Sequence, residues 1–205
     1  MSYLSFLLQV LLVSLTGVMA PGPITALTVA KGNESPHAGA AVAAGHGIVE
    51  VPLMVAIFYG FGRLLEMQYV KASVALAGGI FLAVMAVGMI RSIRRAAPDP
   101  DKYTRSALVT GIVLSIGNPY FLIWWATVGG ALIMRSVSFG TVGILSFAAL
   151  HLFCDLVWLY FLSVLSFKGG QFFGKIFQKV IFAGCGAFLV FLSVKFIIDG
   201  VKVFV

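Results

Sequence analysis

Residues 4–30 read LSFLLQVLLVSLTGVMAPGPITALTVA, an apolar run that has no charged side chain but is interrupted near its end by Pro21-Gly22-Pro23. About 20 apolar residues are enough for a helix to cross the roughly 30 Å of hydrocarbon in a membrane. Proline lacks a backbone N–H and ends or kinks a helix. The stretch therefore predicts a membrane-spanning helix that is broken before its end.

The whole chain has the composition of a membrane protein. Of its 205 residues, 60% are apolar and 10% are charged, and the mean hydropathy is 1.06. Soluble domains carry about 25% charged residues, so a water-soluble enzyme or binding domain is excluded. The net charge of +7 lies in short loops between apolar runs, where basic residues set orientation and contact anionic lipid. No nucleic-acid partner is expected.

Six apolar segments predict an all-α polytopic membrane protein with six transmembrane helices, over residues 4–30, 38–62, 72–90, 107–134, 137–167 and 176–196. The first segment is expected to be a retained helix, since no basic region or cleavage signature of a signal peptide accompanies it. One hydrophilic linker, 91–106, divides a single transmembrane domain (1–205) into repeat one (1–90) and repeat two (107–205).

Basic residues are distributed unevenly between the two sides of this topology. Nine follow the first, third and fifth segments: Lys31, Arg91, Arg94, Arg95, Lys102, Arg105, Lys168, Lys175 and Lys179. Five lie at the other side: Arg63, Lys71, Arg135, Lys195 and Lys202. Because cytoplasmic loops carry the excess of Lys and Arg, the linker is expected in the cytoplasm and both termini outside a cell membrane.

The two halves share two features at corresponding places. Pro21-Gly22-Pro23 breaks the first helix, and Gly117-Asn118-Pro119 breaks the fourth. The second and fifth helices read AAGHGIVEV (43–51) and AALHLFCDL (148–156), with the common pattern Ala-Ala-x-His-x-x-x-acid. Since each half has an odd number of helices, the copies must lie in opposite orientations. The pattern predicts a 3+3 inverted-topology repeat, as in many secondary transporters.

The breaks predict helices that begin inside the membrane. Proline suits the first position of a helix, and Asn caps it well. A helix that begins at Pro23 or Pro119 presents unpaired N–H groups and the positive end of its dipole, which can bind an anion such as a substrate carboxylate. The alternative is that each break is a simple proline kink that shapes the bundle.

His46, Glu50, His151 and Asp155 are ionisable side chains within apolar helices. Such residues are costly in a membrane and indicate function by default. The i, i+4 spacing places each histidine over its acid on one helical face. Because histidine titrates near neutrality, each pair can take up and release a proton during a cycle. Two alternatives remain open: hydrogen-bonded scaffolding, and ligands for a divalent cation.

At Ala20-Pro21-Gly22-Pro23, at Gly117-Asn118-Pro119 and in its glycine-rich second helix, the chain resembles the LysE/RhtB superfamily of small amino-acid exporters over essentially its whole length. The resemblance implies a 3+3 inverted-repeat exporter driven by the membrane proton gradient, with Pro21, Gly22, Pro23, Asn118 and Pro119 in its site. Two departures bear on the substrate: Tyr120 stands where the family often has Lys, and the His-x-x-x-acid pairs are not common to all members.

The sequence and the resemblance together predict a secondary active exporter of amino acids or similar small zwitterions, proton-coupled, working by alternating access, and not an enzyme. Substrate is expected near the midplane between the broken helices. The alternatives are a divalent-cation exporter and a non-transporting membrane or haem protein with His46 and His151 as axial ligands. No cofactor is expected, and assembly into a homo-oligomer is left open. Cys154 and Cys185 lie without metal-site or redox spacing and are expected to be buried apolar residues.

Overall fold

The computed structural model describes residues 2–61, 67–94, 106–173 and 175–204, which are almost entirely helical and contain no strand. The helices are α1 Tyr3–Val18, α2 Pro23–Gly32, α3 Ala38–Ala56, α4 Gln68–Arg94, α5 Ala107–Ile116, α6 Pro119–Trp124, α7 Gly130–Val137, α8 Gly140–Phe173 and α9 Lys175–Phe204. The π-helical turns Ile57–Phe61 and Trp125–Gly129 continue α3 and join α6 to α7. The all-α prediction is confirmed over these residues.

Four helical stretches in the described part of the chain are long and apolar enough to cross a membrane: Ala38–Gly60, Gln68–Gly88, Pro119–Val137 and Gly140–Gly170. The bent pair α1 and α2 makes a fifth if it is counted as one span. α5 is apolar but shorter. The architecture therefore has four to five candidate spans by length and composition, and the arrangement of six helices as an inverted repeat stays a prediction.

The chain turns sharply between α1 and α2. α1 ends at Val18, α2 begins at Pro23, and the two axes meet at 76°. Gly22 precedes α2 in an extended conformation (φ −140°, ψ −169°). Between α5 and α6, Asn118 is likewise extended (φ −94°, ψ 105°) and Pro119 is the first helical residue. Both helices thus begin on a proline, whose missing N–H costs nothing at that position.

Several helix bounds differ from the sequence prediction. α4 starts at Gln68 and runs to Arg94, so the first four residues of the expected 91–106 linker are helical; residues 95–105 lie outside the described part. The expected 137–167 helix instead begins at Gly140, whose φ of 63° is a left-handed conformation that glycine adopts readily. α9 extends to Phe204, beyond the expected end at 196. Hydropathy alone misplaced the ends of α4 and α9, because both helices continue past the apolar region, whereas the later start of α8 follows from the turn at residues 138–139.

Glycines bring α3 into close contact with the second half of the chain. A Cβ on Gly39 would lie 2.0 Å from the carbonyl oxygen of Leu159 in α8, and one on Gly45 would lie 2.1 Å from that of Leu108 in α5. Only glycine permits this approach, which is typical of helix packing in membranes. α3 is thereby held between α5 and α8, while α4 packs along α9. This arrangement sets the positions of His46 and Glu50.

Candidate functional site

A cavity of about 690 Å³, counting the space at its mouth, lies where the two interrupted helices meet α3, α8 and α9. It is lined by Gly17, Val18, Ala20, Pro21, Gly22, Pro23, Ile24, Thr25, His46, Glu50, Leu82, Asn118, Tyr120, Phe121, Trp124, Trp125, His151, Asp155, Leu159, Phe188, Leu189 and Leu192. Residues from both halves of the chain, far apart in sequence, therefore share one cavity.

Eight of the nine site residues expected from the sequence line this cavity: Pro21, Gly22, Pro23, His46, Glu50, Asn118, His151 and Asp155. Pro119 does not. It is fully buried and packs against α4, where a Cβ on Gly78 would lie 2.0 Å from the Pro119 Cβ. Pro119 therefore fixes the start of α6 by packing, and its neighbour Asn118 is the residue that lines the cavity.

The two helix starts differ in how their N–H groups are satisfied. No side chain caps α2, so the first-turn N–H groups of Ile24 and Thr25 have no partner within the helix. At α6, the Asn118 side-chain oxygen accepts a hydrogen bond from the Tyr120 N–H at 3.1 Å. The start of α2 consequently has more unpaired N–H groups than the start of α6. The positive end of the α2 dipole lies at the same place.

Glu50 is the centre of the ionisable cluster. It is 1% exposed, and its Oε1 accepts hydrogen bonds at 3.2 Å from both Trp125 Nε1 and His151 Nε2. His46 Nε2 lies 3.5 Å from the same oxygen. Asp155 Oδ2 lies 3.5 Å from His151 Nε2. The two His-x-x-x-acid pairs, separated by about half the chain, therefore meet through a single carboxylate oxygen of Glu50.

Each histidine is oriented by a serine from the other half of the chain. His46 Nδ1 lies 2.6 Å from Ser115 Oγ in α5, and His151 Nδ1 lies 2.8 Å from Ser14 Oγ in α1. Both serines are 0% exposed. With Nδ1 of each ring engaged in this way, Nε2 of each ring points toward the carboxylates. Two reciprocal contacts thus fix both imidazoles in the same orientation relative to the acids.

Aromatic rings enclose His151 on several sides. The Trp124 ring stacks on the imidazole with centroids 5.2 Å apart and planes at 27°, and Trp125 meets it edge-on at 5.1 Å. Phe147 lies behind it at 6.1 Å. Trp124 in turn lies against α1, because a Cβ on Gly17 would be 2.8 Å from Trp124 Cε2. These rings exclude water from one side of the cluster.

Two carboxylate oxygens in the cluster have no hydrogen-bond partner among the described residues. They are Glu50 Oε2 and Asp155 Oδ2, on side chains that are 1% and 6% exposed. The ion-pair contact of Asp155 Oδ2 with His151 Nε2, at 3.5 Å, is not a hydrogen bond. An unpaired buried oxygen costs free energy, and in native proteins it is usually a place where something binds. Both oxygens belong to residues of the cavity wall, so a proton or a bound cationic group can satisfy them there.

Three further residues complete the cluster without having been predicted as part of it: Ser14, Ser115 and the indole N–H of Trp125 as a donor to Glu50. The serines are ordinary small residues in apolar runs, and nothing in their spacing distinguishes them from serines that face lipid. Their role is visible only when α1 and α5 are placed beside the histidines of the opposite half.

The geometry of the cluster distinguishes the two metal-based hypotheses, which are haem ligation by two histidines and binding of a divalent cation. The Oε1 atom of Glu50 lies 3.5 Å from His46 Nε2 and 3.2 Å from His151 Nε2, so a carboxylate occupies the space in which a haem iron would have to lie between the two rings. Bis-histidine haem ligation therefore does not fit. A single divalent cation fits better, since His46, Glu50 and Asp155 each offer one ligand atom and these atoms all lie within 4.8 Å of one another.

Comparison with known proteins identifies the family of this chain. The chain matches the family model described as LysE type translocator over residues 15–200. It is also similar to the chemotactic transduction protein ChpE of Pseudomonas aeruginosa, at 28% identity over 140 residues that cover 65% of this chain and 68% of that protein. No solved structure matches the chain significantly. Since the matched region covers most of the sequence and the family consists of transporters, the chain belongs to the LysE type translocator family and is a multi-pass membrane transporter, not an enzyme.

Proposed function

We propose that this protein is a secondary active exporter of amino acids or similar small zwitterionic solutes, with protons as the coupling ion. The observation that carries the proposal is that one cavity is lined both by the residues at the two helix breaks and by the ionisable side chains His46, Glu50, His151 and Asp155. A zwitterion needs an anion site and a cation site a few ångströms apart, and the coupling ion needs a group that changes charge. The cavity offers all three.

The substrate carboxylate binds at the start of α2 in this account. Ile24 and Thr25 line the cavity, and no side chain caps their helix. Helix starts of this kind bind carboxylates in other secondary transporters. The substrate ammonium binds at Asp155, whose Oδ2 lacks a hydrogen-bond partner. Asn118 caps the start of α6 and is part of the same cavity lining.

The coupling proton resides on the cluster centred on Glu50. Ser115 Oγ donates a hydrogen bond to the Gly111 carbonyl at 2.6 Å, so with its single proton used it accepts from His46 Nδ1. In a neutral ring His46 Nε2 is then an acceptor, and it faces another acceptor, Glu50 Oε1. A proton between them removes that conflict. Taking up and releasing this proton is a change that transport can be coupled to.

The inverted repeat of six helices belongs to the same proposal. Two equivalent contacts between the repeats support it. His46 of repeat one contacts Ser115 of repeat two, and His151 of repeat two contacts Ser14 of repeat one. In addition α3 packs against α8, and α4 against α9, as corresponding elements related by a pseudo-two-fold axis would do. Alternating access then moves one repeat against the other around the shared cavity.

The test is transport by purified protein in proteoliposomes. Vesicles are loaded with one amino acid or one divalent metal salt at a time, and efflux is followed with and without an imposed pH gradient. We expect efflux of at least one amino acid, accelerated when protons can enter in exchange. The controls are vesicles loaded in the same way that contain either no protein or heat-inactivated protein. If no amino acid leaves faster than it does from loaded vesicles without protein, the proposed function is wrong.

A divalent-cation exporter is the second candidate, and one observation favours it. His46, Glu50 and Asp155 place their ligand atoms within 4.8 Å of one another, and the other nitrogen of His46 is held by a serine, an orientation typical of metal-ligating histidines. In that case the cation is the substrate. Efflux of a divalent metal that amino acids do not inhibit, in the same vesicles, would favour this candidate over the amino-acid exporter.

Orientation in the membrane is a further part of the proposal: the linker is cytoplasmic and both termini are outside, because nine of the fourteen basic residues lie on the linker side. A single cysteine at position 99, in a background with Cys154→Ala and Cys185→Ala, is expected to resist an impermeant thiol reagent added to intact cells. It should react after the membrane is permeabilised, which serves as the positive control. Labelling of intact cells would reverse the proposed orientation.

A further inference from the structure

The cavity has a second wall that differs chemically from the ionisable one. Leu82 of α4 and Leu189 and Leu192 of α9 line it and belong to one buried apolar cluster, with exposures of 0%, 0% and 8%. Phe188 packs against the same cluster. The ionisable side chains instead come from α3 and α8. The cavity lining therefore has a charged and polar side and a hydrocarbon side.

The charged groups of the lining match a zwitterionic backbone and leave none for a charged side chain. Among the described residues that line the cavity there is no Lys or Arg, and the two histidines are already paired with Glu50 and Asp155. An acidic side chain would therefore be buried without a free counter-ion. The two acids are both engaged in the proposed function. Asp155 accepts the substrate ammonium, and Glu50 already accepts from Trp125 and His151 and holds the coupling proton. A cationic side chain would have to compete with that proton.

We propose that the cavity selects neutral amino acids with an aliphatic side chain of about the size of leucine, over cationic, acidic and small polar ones. This inference rests on the proposed function and adds the substrate class. The backbone groups of the solute bind between the start of α2 and Asp155, and its side chain lies against Leu82, Leu189 and Leu192. Apolar contact supplies the preference over a smaller side chain, because a methylene missing from the substrate lowers its relative rate by about tenfold or more in such a pocket.

Counterflow exchange in proteoliposomes tests the proposal with leucine, alanine, serine, lysine and glutamate as the probes. We expect exchange of leucine to exceed exchange of the other four by at least about tenfold, with alanine next. Lysine, glutamate or serine exchanging as fast as leucine would overturn the selectivity and leave the amino-acid exporter in place. No exchange of any amino acid by folded protein would overturn both, so the two failures are distinguishable.

A matched pair of variants locates the selectivity. Leu192→Ala removes part of the apolar wall and should lower the ratio of leucine to alanine exchange by about tenfold. Leu162→Ala is the control, because Leu162 is buried to a similar degree (7% exposed) but belongs to a different apolar cluster and does not itself line the cavity. Its ratio should equal the parent's. An unchanged ratio of leucine to alanine exchange in Leu192→Ala would contradict the assignment of Leu192 to the substrate-contacting wall. If a variant protein is not produced in folded form, the substrate series of the parent protein decides the proposal.

Discussion

Replacing Glu50 by Gln is expected to abolish uphill accumulation of substrate while leaving the protein folded. Gln keeps the Oε1 acceptor that Trp125 and His151 use, and its amide replaces an oxygen, Oε2, that has no partner. The amide cannot carry the coupling proton. Accumulation driven by a pH gradient should therefore fall at least about tenfold, equivalent to about 1.4 kcal/mol. Counterflow exchange should be retained, because exchange needs no net movement of protons.

Asp155→Asn and Asp199→Asn complete this test. The first tests the second acid of the cluster and should weaken substrate binding, because Asp155 holds the ammonium in our account. Asp199 makes an exposed ion pair with Lys195 at 3.4 Å and does not line the cavity, so its amide variant is the matched control and should behave like the parent. If Glu50→Gln and Asp155→Asn both accumulate substrate like the parent, these residues are scaffolding.

Replacing Asn118 by Leu is expected to lower transport sharply at a small cost in stability. Asn118 is 7% exposed, and its side chain caps α6 by accepting from the Tyr120 N–H. Losing a cap of this kind costs about 1 kcal/mol, which a folded protein survives. Leu has a similar volume but no acceptor, so the start of α6 should shift within the cavity wall. We expect initial transport rates to fall by about tenfold, because small displacements of positioning groups have effects of that order or larger.

The control for Asn118→Leu is a substitution of the residue that caps the preceding helix, α5. Ser106 caps α5 through a hydrogen bond from the Val109 N–H at 3.3 Å and is exposed, away from the cavity. Ser106→Ala should lower thermal stability in detergent by a comparable amount and leave transport at the parental rate. Parental transport by Asn118→Leu, with the variant correctly inserted, would show that the second break is only a kink.

The sequence predicted most of the elements of the site but few of its contacts. Pro21-Gly22-Pro23 and Asn118-Pro119 were readable because proline and its neighbours restrict the backbone locally. His46, Glu50, His151 and Asp155 were readable because charge is rare within apolar helices. All of these depend on residue type and local spacing, which a sequence contains directly.

What the sequence could not give is which side chains meet. The i, i+4 rule pairs His151 with Asp155, whereas the structure brings its Nε2 closer to Glu50 of the other half, at 3.2 Å against 3.5 Å. That contact depends on how near α3 approaches α8, which Gly39 and its neighbours set through backbone contact. Helix bounds were misplaced for a related reason, since α4 continues into Arg94 where hydropathy had already fallen. Tertiary packing decides both.

The central claim is that this cavity exchanges an amino acid for protons, and proton movement measures it most directly. Proteoliposomes are loaded with leucine and a pH-sensitive dye, diluted into buffer at the same pH without leucine, and clamped at zero membrane potential with potassium and valinomycin. As leucine leaves down its gradient, we expect the lumen to acidify in parent protein and not in Glu50→Gln. Leucine efflux from the parent with no change in lumenal pH would contradict the account.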